Sequence, residues 1–379
     1  MSFQIQVNGV PYTKWESGSV QRSLDNAAGT FSFTTSTTES GEFPVKAGDF
    51  VNIIVGGETK IYGYVDEISQ DGGAISRTVT ITGRDNVQDL IDSCVPDVAK
   101  VVKGPITLSA LCKKVISGLG NTSINVLDTS GEPNIFASTE LQAAESGDNA
   151  LEFLQSYARK KQVMLTSTGT GNLNIFRPGT IAATSQLIHK KNNSENNIKS
   201  YRVKKSLNKM FYKYTCQSQD SVGSSPNADY SASGMNISGT SIDTSVRNTR
   251  FHEIISEEPM TTIECKQRAQ EMANIRRARA TEYSCVVAGY AQLSGVVWDI
   301  GQKVTVIDEF AGIQGQYIIR SVNYTKDLNS GSQTSITVAP TDAYTVQATP
   351  TPTQARKSKE PTTLVDTSGK TNQRFNRGL

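Results

Sequence analysis

The stretch Arg77 to Ser93, RTVTITGRDNVQDLIDS, holds the residue types and spacing best suited to chemistry. A strand-like alternation stops at Gly83-Arg84-Asp85, and a helical pattern begins straight after it. A glycine-containing break between strand and helix is where backbone amides can cradle a phosphate, and an Arg–Asp pair there could act on a substrate. The competing reading is a domain exit. Asp85 and Gln88 have the spacing of a capping box. Asp85, Asp89 and Asp92 already answer the helix dipole with negative charge and would repel a phosphate. Gly83, Arg84, Asp85 and Gln88 are therefore assigned to a structural junction, with Arg84 expected to pair with a carboxylate there.

Little else offers catalysis. The two histidines, His189 and His252, have no second histidine at the HExxH spacing and no cysteine at zinc-ligand spacing. A Ser–His or Cys–His pair would have to be brought together by the fold. The five cysteines are scattered, without a CxxC, and read as buried free thiols in a reducing compartment. The nearest thing to a phosphate loop, STGTGN at 167–172, lies between two strands and reads as a hairpin turn. A carboxylate pair for glycoside hydrolysis stays open among 36 acidic residues, none of them in an apolar run that would raise its pKa. No catalytic residue, cofactor or metal is assigned. The aromatics Tyr12, Trp15, Phe31, Tyr64 and Tyr317 are assigned to barrel core or interface.

The elements that must position these residues are mostly strands. At 379 residues the chain has room for two to four domains. A net charge of +2 is too small for bulk nucleic-acid binding. No apolar run reaches the ~18 residues of a spanning helix, so stable membrane insertion is not expected. MSFQIQVNGV has no secretory-signal pattern. Residues 1–85 alternate, with turns at Asn8-Gly9, Gly56-Gly57 and Asp71-Gly72-Gly73, and predict a first β-barrel. Residues 86–179 carry helical spacing followed by two strands and predict an inserted α+β domain. Its helix from Asn149 onward should bury Leu151, Leu154, Tyr157 and Ala158. Residues 180–217 and 281–345 predict a second barrel. Between them, 218–280 reads as a polar loop and a helix. That helix opens on a Thr261–Glu264 capping box and carries the stripe Ile263, Ala269, Met272 and Ala273. The last stretch, 346–379, is polar and basic and reads as a flexible tail. The fold class expected is mainly β with α+β insertions.

The two β regions repeat. Gly48–Asp85 and Gly301–Pro340 each open on Gly, run through an apolar strand, and then an apolar-aromatic one (Tyr62-Gly63-Tyr64-Val65 against Gly315-Gln316-Tyr317-Ile318). Each closes on a Thr/Ser-Ile-Thr strand. Only the first copy ends in Gly-Arg-Asp and a helix, so the junction motif marks the barrel that passes into an insertion.

These segments resemble a known family. Tyr12 to Trp15, Ser19 to Ser23 and Ala28-Gly29-x-Phe31 are similar to the opening of the baseplate hub proteins of Mu-like contractile-tailed bacteriophages. YGYVDEIS, ITGRDNVQDLID, GDNALEFLQSYARKKQVMLTSTGTGNLNIFRP and the closing GQKVTVID…YIIRSVNYT…TSITVAP fit the same family. The resemblance spans about residues 3 to 345. It implies a homotrimer with two tail-tube-like β-barrels per subunit, forming a pseudo-hexameric ring. That ring would join the hexameric tail tube to the trimeric central spike, contact other baseplate proteins, and let DNA pass through its lumen during ejection. It implies a virion location, with assembly in the host cytoplasm, and no enzyme. Two other readings are a tail-tip enzyme degrading peptidoglycan or surface glycan, and a host-glycan-binding module.

Overall fold

The computed structural model describes residues 2–344 except 39–40, 74, 122, 139–140, 162, 193, 219–236, 256–261 and 329. The expected basic tail 346–379, Thr261 of the expected capping box and much of the polar loop lie outside the described residues.

In chain order the elements are β1 (Phe3–Val7), β2 (Val10–Tyr12), β3 (Ser17–Ser23), β4 (Thr30–Thr37), β5 (Phe50–Val55), β6 (Glu58–Gly72), β7 (Arg77–Asp85) and α1 (Gln88–Asp92). A middle region follows with β8 (Val101–Lys103), β9 (Ile106–Thr107), α2 (Leu108–Gly118), β10 (Val126–Asp128), β11 (Ile135–Phe136), β12 (Leu141–Ala143), α3 (Ala150–Lys160), β13 (Met164–Ser167) and β14 (Leu173–Phe176). The last part holds β15 (Leu187–His189), β16 (Ile198–Lys205), β17 (Lys213–Ser218), β18 (Ile237–Ile242), β19 (Phe251–Ile255), α4 (Thr262–Ala280), β20 (Thr281–Ala288), β21 (Lys303–Asp308), β22 (Ile313–Asp327) and β23 (Gly331–Pro340). The protein is mainly β.

One 13-stranded sheet dominates, in the order β16-β20-β23-β22-β3-β4-β7-β6-β5-β1-β2, with β15 and β21 attached through β22. Its two halves follow one plan. β6 lies between β5 and β7, and β22 lies between β21 and β23, all antiparallel. Each long central strand carries a bulge at the same place, between Val65 and Glu67 and between Ile319 and Ser321. Gly48 and Gly301 open the two copies at φ 87° and 76°, where a side chain would be strained. Each donates its N–H at 2.8 Å to the carbonyl just before the bulge, on Val65 and Ile319 respectively. The ladders therefore equate Val65 with Ile319, Asp66 with Arg320 and Tyr64 with Ile318. Tyr317 takes the place of Gly63, one residue away from the pairing with Tyr64 that the sequences suggest.

Alternation explains the core. Val79 and Ile81 of β7 are buried, as are Val51, Ile53 and Val55 of β5 and Val304 and Val306 of β21. These join one apolar cluster that runs through both halves of the sheet. The β1–β2 hairpin turns on Asn8 and Gly9 at φ 50° and 78°, the two left-handed residues that a two-residue turn with matching twist requires.

The middle region has its own apolar cluster. Leu151, Leu154, Tyr157 and Ala158 of α3 are buried in it with Leu108, Leu111 and Val115 of α2, over β10, β14 and β13. Asn149 caps α3 by accepting from the Glu152 amide at 3.0 Å.

Two expectations change. Residues 213–218 do not join the second half of the large sheet: β17 pairs with β18 and β19. Its inward side chains Tyr214 and Cys216 pack on Cys265, Ala269 and Ala273 of α4, a separate small core. Cys265 starts that buried row at helical spacing, and Ile263, expected on the stripe, is exposed. The helix sits close because β18 has Gly239 beneath it, where a Cβ would meet the Lys266 amide at 2.1 Å.

Candidate functional site

The exit from β7 is tight before it is polar. Gly63 of β6 stands opposite Asp85, and a Cβ on it would meet the Arg84 carbonyl oxygen at 2.0 Å. A Cβ on Gly83 would meet the Tyr64 carbonyl at 2.1 Å and the Phe31 ring at 2.6 Å. The two glycines let β6 and β7 approach where the chain turns out of the sheet.

Arg84 points to the outer side of this exit. Its Nε donates to Asp66 Oδ2 at 2.7 Å, and its Nη2 donates to Asp92 Oδ2 at 2.8 Å. These two hydrogen-bonded carboxylates raise its pKa. The guanidinium thus ties the bulge of β6 to the end of α1.

Asp85 points the other way, and the expected Asp85–Gln88 capping box does not form. Asp85 Oδ1 accepts from the Val87 amide at 3.1 Å, while Oδ2 accepts from the Gly29 amide and the Ser167 hydroxyl. Helix α1 begins at Gln88 with no side-chain cap, and Gln88 Oε1 has no partner among the described residues. The carboxylate is fully buried and is used up joining β4, the α1 turn and β13 rather than capping. Burial pushes its pKa up to about 6, against the pull of Ser167, Gly29 and Arg22.

Beside Asp85 lies a cluster that the sequence pattern did not single out. Arg22 of β3 is buried. Its Nη1 donates to both oxygens of Asp299 at 2.6 and 2.7 Å, and its Nη2 donates to the Ser167 carbonyl at 2.6 Å. Lys60 of β6, also buried, donates to Asp299 at 2.9 Å and to Glu58 at 2.8 Å. Burial works against the Asp299 carboxylate, but Arg22 and Lys60 outweigh it and hold its pKa below the usual range. One guanidinium therefore joins β3, the middle region and the segment leading into β21. The available signal was an arginine at an inward position of an alternating strand, in line with Gly18 and Val20.

A cleft of about 270 Å³ opens over this cluster, lined by Arg22, Ser167, Phe176, Arg177, Asp299 and Gly301. Its charges are already matched: Asp299 to Arg22 and Lys60, and Arg177 to Glu132 at 3.4 Å. The histidines lie apart from it and from each other. His189 on β15 faces Asp308 at 3.2 Å, and His252 on β19 faces Arg276 at 2.9 Å, which together with burial lowers its pKa. Among the described residues no cluster of three or more His, Cys, Asp or Glu is arranged to hold a metal, and no helix is long and apolar enough to cross a membrane.

Phe31 is in the main core, and Tyr12, Trp15 and Tyr317 pack against it, whereas Tyr64 lies on the opposite face of β6 from Gly63 and Val65. The Phe31 ring stacks on Phe33 at 6.1 Å, Trp15 lies 5.3 Å from Phe3, and Tyr12 lies 5.7 Å from Phe33. Tyr64 meets Phe50 edge-on at 5.8 Å. Tyr317 is half-buried against the second half of that core, and its pKa is raised by burial.

What remains conspicuous is backbone. Among the described residues β16 pairs only with β20, and beyond the bulge β6 pairs only with β7, so both present open edges. A chain with an internal repeat, matched buried charges and open sheet edges is suited to assembly. Residues 2–85 match the family model for the Mu phage baseplate assembly protein GpP-like N-terminal domain, and residues 261–347 match that for the GpP fourth domain. The baseplate hub protein gp44 of Escherichia phage Mu is 24% identical over 352 residues, covering 90% of this chain and 88% of that one.

The chain is similar to the Mu-like baseplate hub proteins.

The hub fold has been seen before. The 43 kDa tail protein of prophage MuSo2 from Shewanella oneidensis superposes with a TM-score of 0.77 at 24% identity, over 92% of this chain and 100% of that one. A tail protein from Neisseria meningitidis MC58 gives 0.75 at 17% identity, over 92% and 98%. The two family matches fall on the two halves of the repeat. The protein is thus a phage-tail baseplate hub and a virion component.

Proposed function

We propose that three copies of this hub close into a pseudo-hexameric ring of six tube-like barrels. The ring joins the hexameric tail tube to the trimeric central spike and leaves a lumen through which DNA passes during ejection. The observation that carries this is the repeated strand plan: β5-β6-β7 and β21-β22-β23 share bulge, glycine and register, within one continuous sheet. A head-to-tail contact that repeats with rotation closes into a ring. Two copies per chain turn threefold closure into six similar positions, which a sixfold partner can match. The unrepeated middle region and the α4 unit keep a threefold signature for the spike and other baseplate proteins.

The role is structural rather than catalytic. The carboxylates nearest the cleft are held by Arg22, Lys60 and backbone amides, in contacts that serve the fold. Assembly in the host cytoplasm fits the unpaired cysteines, four of which are buried.

Light scattering should give three times the 41.0 kDa chain mass, and negative-stain images should show rings. A protein that stays monomeric, both alone and co-expressed with its spike, would sink the ring. Cell-wall turnover by the pure protein would overturn the structural role.

A further inference from the structure

The internal junction between the two halves is a template for the junction between subunits. Strand β3 lies antiparallel on β22 beyond its bulge, with Ser23 opposite Ser321 and Ser17 opposite Asp327. The ladders place β6 residues 67–72 where β22 has 321–326. They also place β16 where β3 is. Val20 and Val203 each stand across from the aromatic, Phe31 or Tyr283, that faces the end of the closing strand. The local sequences agree, since SVQRSLDN at 19–26 aligns with RVKKSLNK at 202–209. Within one subunit the outer edge of β6 and the outer edge of β16 lack the neighbours that β22 and β3 give each other.

Resting on the ring reading above, we propose that β16 of a second copy of this chain docks on the edge of β6 beyond its bulge. The strands run antiparallel, with the partner's Arg202 opposite Asp71 and the partner's Lys204 opposite Ser69. Charge favours this occupant. Glu67 and Asp71 are exposed on the β6 edge, and Arg202, Lys204 and Lys205 are exposed on β16. In the proposed register Glu67, Ser69 and Asp71 share a face with the partner's Ser206, Lys204 and Arg202. The internal junction fills the same face with neutral pairs, Ser321 with Ser23, Asn323 with Gln21 and Thr325 with Ser19. Acidic edge against basic edge admits β16 and rejects a second β6, while the charges keep free edges from pairing at random. Apolar burial agrees too. Leu24, which follows β3, is 4% exposed at the internal junction, whereas its counterpart Leu207 is 56% exposed and gains cover near Tyr64 of the neighbour. The Arg22–Asp299 pair is not repeated, because Lys46 stands at the place of Asp299.

Charge reversal and cross-linking test this with the full chain. Asp71→Lys should weaken assembly at least tenfold by sedimentation, and adding Arg202→Glu should restore it to within about threefold. With Cys94→Ser as background, Ser69→Cys with Lys204→Cys should form an intersubunit disulfide on mild oxidation, since opposed residues across a ladder lie within ~6 Å. The slipped pair Ser69→Cys with Val203→Cys should form far less. If scattering shows a trimer but neither the swap nor the matched pair behaves so, this pairing is overturned and the ring stands. A protein that never oligomerises overturns both.

Discussion

Arg22 and Asp299, 277 residues apart, meet where Nη1 of Arg22 reaches both carboxylate oxygens at 2.6 and 2.7 Å, between β3 and the segment leading into β21. The guanidinium also donates to the Ser167 carbonyl, so the contact fixes the middle region as well. Arg22 is buried, so removing it leaves a partly buried carboxylate with one cation fewer. Arg22→Ala is expected to cost about 3–5 kcal/mol in chemical denaturation. Arg22→Met with Asp299→Leu should recover only part of that, because apolar groups can replace a buried pair but Asp299→Leu also takes a carboxylate from the buried Lys60, leaving it Glu58. An additive double mutant would show that the two side chains are not coupled.

Asp85 sets a pH signature. In the folded protein its carboxyl titrates at about 6, against 3.8 for a free aspartate. Between those values the folded state binds more protons than the unfolded state, so this group's contribution to stability falls as pH rises. The gap corresponds to roughly 3 kcal/mol. Asp299 behaves oppositely: its lowered pKa gives stability that is present above its unfolded value and lost in more acidic solution. The stability difference between wild type and Asp85→Asn should therefore shrink from pH 4 to pH 6. Parallel stability curves across that window would contradict the assignment.

Gly63 and Gly83 make a steric prediction. Alanine at either place meets a backbone carbonyl within about 2 Å, a contact that no rotamer relieves. Gly63→Ala and Gly83→Ala should each cost at least about 2–3 kcal/mol or abolish soluble expression. Gly72→Ala, whose added carbon would lie 3.8 Å from the Arg77 Cβ, should change thermal stability little. Equal effects at all three positions would mean that strand propensity, not close approach, governs this exit.

Alternation exposed the strands, because burying one face of a sheet imposes a period of two that Val79 and Ile81 display directly. The repeat was visible for the same reason, yet its register was not. Tyr62-Gly63-Tyr64 and Gly315-Gln316-Tyr317 look alike, and only the ladder hydrogen bonds show that Gly63 matches Tyr317. The capping box failed because Asp85 found better donors at Gly29 and Ser167, far away in sequence. β17 left the expected second barrel because Cys265, Ala269 and Ala273 offered a flat helix face, and small residues carry little periodic signal. The Arg22–Asp299 contact was illegible because a pair 277 residues apart leaves no local trace.

Arg84 separates charge from geometry at the domain exit. Its side chain is about one-third exposed and grips Asp66 and Asp92 with different nitrogens of one planar fork. Partial exposure limits the effect, so Arg84→Ala should cost about 1 kcal/mol, read as a small drop in melting temperature. Arg84→Lys keeps the charge but cannot span both carboxylates, and should lose most of the same amount. Salt distinguishes the terms. At about 1 M ionic strength the Debye length falls to roughly 3 Å, and a purely coulombic advantage over alanine should largely vanish. A difference that persists in high salt would show that the fork holds the β6 bulge against α1 through directed hydrogen bonds. If Arg84→Ala left stability unchanged at low salt, the carboxylate pairing would have no part in fixing the exit, and Gly63, Gly83 and Asp85 would do so without it.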